Sequence, residues 1–143
     1  MSQEEIKSIL EKYRTVAVVG LSRYPNKDSY RVANYLQSVG YHIIPVNPFA
    51  DEVLGKKSYK SLLDVPEAIE VVDIFRPAEE VPAIVEEAIQ LKNKTGSPKV
   101  VWMQLGIVNE EAARRAREAG FTVVMDRCMM REHKHLQQEK GSR

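Results

Sequence analysis

Between Val16 and Leu36 the chain reads VAVVGLSRYPNKDSYRVANYL, and the polar residues after its glycine are of types that bind phosphate. Gly20 leaves room for backbone approach, Ser22 and Ser29 offer hydroxyls, and Arg23 and Lys27 offer cations. Where an apolar strand turns into a helix, unpaired N–H groups and the positive end of the helix dipole add to that preference. The chemistry is that of a pyrophosphate. A plain tight turn with two solvated cations would use the same residues, and Asp28, which would repel phosphate, is better placed as a helix cap, a role open also to Ser29. The three-glycine spacing of dinucleotide turns is missing.

A second group, YHIIPVNPF, ends on Asn47, Pro48 and Phe49. Nicotinamide and flavin dinucleotide folds usually place an acid there to accept both ribose hydroxyls, and this chain has none. Asn47, with Pro45 and Pro48 stiffening the backbone, suits a flat slot facing an adenine edge, or simply a rigid turn. Three further segments follow apolar runs: Arg76 and Pro77, residues 104–109, and residues 126–130. Gly106 would permit close approach of a ligand. Alternation puts Val100, Trp102 and Gln104 on one strand face and Val101 and Met103 on the other, so Trp102 reads as core before it reads as a ligand wall. Cys128, flanked by Asp126, Arg127 and Arg131, is either a thiol able to exchange with a bound thiol or, more simply, a packing residue.

Catalysis has no visible owner. No serine, histidine and acid set at hydrolase spacing occurs, nor a GxSxG or P-loop pattern. His133 and His135 straddle Lys134 and do not share a helix face, and His42 sits in a strand, so no metal site is expected. Cys128 is the only cysteine, which excludes an internal disulfide.

The elements that must position these groups are legible from periodicity. TVAVVG, YHIIPV, VVDIF, KVVWMQL and FTVVM are β-branched runs bounded by turn residues, and residues 29–39, 81–91 and 110–119 carry apolar side chains at helical spacing. Asn109 is placed to cap a helix start, and Gly40 and Gly120 to end helices. A further helix is expected from Ile6, Ile9, Leu10 and Tyr13, and a short turn or helix over residues 64–70. Strands apolar nearly throughout and joined by helices imply a three-layer, doubly wound α/β domain with a mainly parallel sheet of about five strands. Ligands bind such sheets beyond the carboxyl ends of the strands, where all the groups above lie. The domain is expected over residues 1–130, followed by a polar tail, 131–143, with one helical turn and then disorder.

With 143 residues, 43% of them hydrophobic, the chain suits one domain with a real core. Its 21 basic and 20 acidic residues are mixed along the sequence, which argues against a nucleic-acid surface. The charged, amphipathic N-terminus and the lack of a long apolar run point to a soluble cytoplasmic protein without a membrane segment.

VAVVGLS, IIPVNP with GKKSYKSL, VVDIFRP, and VWMQLGIVNEEAARRAREAGFTVVMDRC occur in this order. Over residues 9–130 the chain thereby closely resembles the small single-domain coenzyme A-binding proteins, Rossmann-like in fold and similar to the coenzyme A-binding domain of the succinyl-CoA synthetase alpha subunit. The resemblance implies that Gly20, Leu21, Ser22 and Arg23 meet the pyrophosphate, Val46, Asn47 and Pro48 the adenosine end, and Phe75, Arg76 and Pro77 the cofactor's flank. Many relatives carry a basic residue after the Asn-Pro pair; this chain has Phe49, which passes the phosphate role to Lys27, Arg23, Lys56 or Lys57. Nothing resembles the phosphohistidine domain of the synthetase, so the ligase reaction is not implied. The expected function is binding of coenzyme A or an acyl-CoA without turnover, with the thiol arm toward Gly106 and Cys128. The alternatives are an NAD(P)-binding regulator or oxidoreductase, and a nucleotide-stabilised subunit that uses Arg114, Arg115 and Arg117 to meet a partner. The chain could act alone or as a homo-oligomer.

Overall fold

A computed structural model describes residues 1–141. Helix α1 (Gln3–Lys12) leads into β1 (Thr15–Val19), α2 (Asp28–Ser38) and β2 (His42–Val46). A small hairpin follows, β3 (Glu52–Val53) with β4 (Lys56–Lys57), and then a 3-10 turn at Leu62–Asp64 and β5 (Val71–Ile74). After a second 3-10 turn at Ala78–Glu80 come α3 (Val81–Thr95), β6 (Val100–Met103), α4 (Glu110–Glu118), β7 (Thr122–Val124) and α5 (Met129–Gly141).

Five strands form one parallel sheet in the order β2-β1-β5-β6-β7. The chain winds outward from β1 in one direction and from β5 in the other, so the switch point lies between these neighbours. Register aligns their ends: Val19 pairs with both Val46 and Ile74. The loops after β1, β2 and β5 therefore leave the sheet from one ledge. Side chains alternate between two cores. Val16, Val18, Val71, Val100 and Trp102 pack under α1, α2 and α5, while Ala17, Val19, Val72, Ile74, Val101 and Met103 pack under α3 and α4. Burial on both faces is why these strands read as continuous apolar runs.

Asn109 caps α4 by accepting the Ala112 N–H at 2.9 Å, and Gly40 and Gly120 follow their helices with positive φ, as expected. The expected caps of α2 are corrected. The helix starts one residue earlier, with Lys27 at the cap position and no side-chain cap bond. Asp28 instead pairs with Arg31 in the first turn, and the Ser29 hydroxyl accepts the Ser22 N–H at 3.0 Å.

The expected disorder after Met130 is also corrected. Residues 131–141 continue α5, whose Met129, His133 and Leu136 are buried against the first two helices. These positions make a single narrow stripe, which the charged residues between them hide from a periodicity count. His133 Nδ1 shares a 2.7 Å hydrogen bond with the Tyr35 hydroxyl. Burial first, then Arg14 and Lys140, holds this imidazole below the ordinary histidine value. The last two residues of the expected tail, 142–143, lie outside the described residues.

One residue breaks the apolar pattern of the central strands. Asp73 is fully buried on β5, between Val18 and Trp102, and neither carboxylate oxygen has a hydrogen-bond partner among the described residues. Burial pushes its carboxyl well above the ordinary aspartate value. The folded state therefore binds a proton that the unfolded chain releases above about pH 4. Stability contributed by this group falls as pH rises from there toward the folded-state value, by about 1.4 kcal/mol per pH unit. Urea unfolding of the wild type and Asp73→Asn at a series of pH values from 5 to 8 should show the variant gaining relative stability as pH rises. A difference between the two that does not change with pH would refute a protonated Asp73.

Candidate functional site

The first loop is built against its neighbours. Gly20 has φ +89°, and a Cβ on it would lie 2.5 Å from the Phe75 carbonyl oxygen and 2.8 Å from Arg76 Cδ. Only glycine lets the loop after β1 press onto the loop after β5. The Gly20 N–H donates to the Val46 carbonyl at 2.9 Å, and the Phe75 N–H to the Val19 carbonyl at 2.8 Å, so the three strand ends are stitched together. Asn47 ties the second loop to the first. Its Nδ2 donates to the Leu21 carbonyl at 2.9 Å and its Oδ1 accepts the Phe49 N–H at 2.8 Å.

Above this ledge opens a cleft of about 580 Å³. Its floor and near wall are Val19, Gly20, Ser22, Val46, Asn47, Pro48 and Phe49; Lys60, Ser61 and Leu62 form a second side; Arg76, Glu79, Glu80, Ala83, Ile84 and Glu87 form the third. Hydrocarbon and charge alternate around it. The Arg76 guanidinium donates to both oxygens of Glu80 at 2.9 Å. Ser61 donates to Glu87 at 2.8 Å while accepting the Leu63 N–H, which caps the first 3-10 turn. Lys60 makes no hydrogen bond or ion pair among the described residues. No imidazole lines the cleft.

Of the residues expected at a site, Gly20, Ser22, Val46, Asn47, Pro48 and Arg76 line this cleft. Leu21 and Ser29 are buried behind the first loop, where Ser29 holds the Ser22 backbone. Arg23 is exposed and lies over the Tyr24 ring, 5.0 Å from its centroid, and Lys27 is exposed at the start of α2. Phe75 is half-buried and Pro77 exposed, both outside the lining. Gly106 and Cys128 lie elsewhere on the carboxyl edge. The Gly106 N–H donates to Asp126 Oδ1 at 2.7 Å, and Cys128 is buried in the core beneath α5. Trp102 is core, fully buried, with its indole N–H donating to the Arg127 carbonyl at 2.8 Å. Lys57 lies over the Tyr59 ring and is not part of the lining. Arg114 and Arg115 are ion-paired with Glu118 and Glu86.

Lys60, Ser61, Glu79, Glu80 and Glu87 also line the cleft, and sequence reasoning did not single them out. Lys60 and Ser61 come from the segment before the first 3-10 turn, Glu79 and Glu80 from the second 3-10 turn and Glu87 from α3, and no local spacing signals that the fold turns them toward β1. The charged pair after Arg76-Pro77 was the one available hint, since it directly follows a carboxyl-edge loop.

A family model described as "CoA binding domain" matches residues 14–134. The uncharacterized protein YneT of Bacillus subtilis is 44% identical over 132 residues, covering 92% of this chain and 94% of that protein. The structure of a hypothetical protein from Pyrococcus horikoshii OT3 superimposes with a TM-score of 0.89 at 46% identity, covering 96% of this chain and 93% of that one. An ADP-forming acetate–CoA ligase II of Archaeoglobus fulgidus is 38% identical over 79 residues, 54% of this chain but only 12% of the ligase.

The contact at Gly20 can be tested against an internal control. Gly40 also has positive φ, but a Cβ there would meet nothing within 4 Å. Gly40→Ala should cost about 1 kcal/mol for its backbone alone, and Gly20→Ala at least about 2 kcal/mol, because strain and the clash with Phe75 add. Equal losses in urea unfolding would show that the loop packing does not require glycine.

Proposed function

This chain belongs to the CoA binding domain family, and we propose that it binds coenzyme A, free or as an acyl thioester, in the cleft at the ends of β1, β2 and β5. The observation that carries this reading is the one-glycine turn at the switch point, held by register within reach of both Asn47 and Arg76. The pyrophosphate would lie along Gly20 and Ser22, with Arg76 and Lys60 as its nearest cations and Arg23 and Lys27 at the rim. The adenine end would lie toward Val46, Asn47 and Pro48, and the thiol arm would leave along the carboxyl edge toward Gly106, with Cys128 buried out of its reach. Binding without turnover fits a cleft whose lining hydroxyls are both engaged, Ser61 with a helix cap and a carboxylate and Ser22 with the Tyr24 N–H.

Charge balance sets a condition on this reading. Three carboxylates, Glu79, Glu80 and Glu87, face the same space as the cations Lys60 and Arg76. A ligand as anionic as coenzyme A gains little unless Arg76 exchanges Glu80 for phosphate, a trade between two charge-assisted, two-point contacts. The same carboxylates favour a second reading. They supply the ribose-binding acid that the end of β2 lacks, from a different element, and so keep a nicotinamide dinucleotide in contention. No helix among the described residues is long and apolar enough to cross a membrane, and a cytoplasmic setting, where the single thiol stays reduced, belongs to the same proposal.

Thermal shift against coenzyme A, NAD, NADP and ATP separates these readings. Coenzyme A at a hundredfold excess over its Kd should stabilise the fold by about 2.7 kcal/mol; stabilisation by NAD with none by coenzyme A would sink the main reading. Calorimetric titration of two variants tests the charge exchange. Arg76→Ala should weaken coenzyme A about tenfold or more, and Glu80→Gln should tighten it. Weaker binding by Glu80→Gln would mean that the ion pair, and not the freed arginine, shapes the site.

A further inference from the structure

Phe49 is 85% exposed, more than any other large apolar residue described as exposed, and it stands at the mouth of the cleft. Leaving a phenylalanine in water forgoes about 2–3 kcal/mol of burial, so its position calls for an occupant. The backbone that carries it is not loose. Pro48 fixes the preceding φ, the Phe49 N–H is held by Asn47 Oδ1, and Asn47 is in turn held by the Leu21, Tyr59 and Ser58 bonds. A pinned backbone thus presents one flat apolar face beside Pro48 and Val46. A ring offers no charge and no donor to a phosphate. What it offers is a π-face, and the matching ligand surface is a planar heteroaromatic base.

Resting on the coenzyme A reading above, we propose that Phe49 stacks on the adenine ring of the bound nucleotide and closes the slot over it. Binding at this end of the cleft then draws on stacking and desolvation where a cation would draw on charge. Such contact is insensitive to salt, whereas phosphate contacts to cations are screened. It is also tolerant of base identity, because every base has a π-face. The ring therefore selects for the presence of a base and not for its edge.

Calorimetric titration of wild type, Phe49→Ala and Phe49→Trp with coenzyme A, adenosine 3′,5′-bisphosphate and 4′-phosphopantetheine tests this. Phe49→Ala should weaken the two adenine-bearing ligands by about 5- to 150-fold, by the same factor at low and high salt. It should leave 4′-phosphopantetheine and the melting temperature unchanged. Phe49→Trp should keep coenzyme A binding and show ligand-dependent quenching of an exposed tryptophan, a signal that buried Trp102 does not give in the wild type. If wild type and Phe49→Ala bind coenzyme A equally, the stacking role is wrong while the coenzyme A reading stands. An equal loss for 4′-phosphopantetheine also overturns it, because the ring would then be supporting the cleft as a whole. Failure of the wild type to bind any adenine ligand removes both.

Discussion

The close approach of Gly20 to the Phe75 carbonyl is the constraint from which the rest of the carboxyl edge follows. With no side chain in the way, the loop after β1 lies directly on the loop after β5, and their hydrogen bonds to neighbouring strand ends hold both at one level. Asn47 then has a fixed carbonyl at Leu21 to bond, and Arg76 is brought to the same opening as Ser22. Each contact needs the one before it. The lone glycine, which looks like a dinucleotide turn short of two glycines, is a packing requirement between two loops.

Two layers of helices make this ledge rigid, and their cores are chemically unequal. The α3 and α4 side is wholly apolar in its buried cluster. The other side carries an unpartnered carboxyl at Asp73 and a histidine hydrogen-bonded to Tyr35. Burial acts on both in the same direction, disfavouring the charged form, but it raises the acid's value and lowers the base's. The buried aspartate and the buried histidine thus both lie on the face away from the cleft. The cleft keeps its ionisable groups near solvent or paired.

The five core strands, the helices between them and the parallel arrangement were readable because continuous β-branched runs and helical periodicity follow directly from double-sided burial. So were the loops after the first, second and third core strands, since strand ends mark where ligands bind in such sheets. The course of α5 was not readable. Met129, His133 and Leu136 form a stripe too thin to stand out among seven charged or amide neighbours, and its burial depends on a groove between α1 and α2 that no local pattern describes. The α2 cap was misplaced for a similar reason: Ser29 has a tertiary use that competes with capping, since its hydroxyl holds the Ser22 backbone.

By itself the sequence determined the elements, their layering and the residue types available at the carboxyl edge, because each of these follows from short-range periodicity and turn chemistry. Only the tertiary structure decided which of those residues share one space. It gathered Lys60 and the carboxylates of the second 3-10 turn and α3 opposite Gly20, set Leu21 and Ser29 behind the loop, placed Gly106 and Cys128 apart from the cleft, and left Phe49 standing at its mouth. The physical reason is that a parallel sheet joins distant segments through its register. Val19, Val46 and Ile74 end level with one another because of hydrogen bonds across three strands, and no window of sequence contains all three.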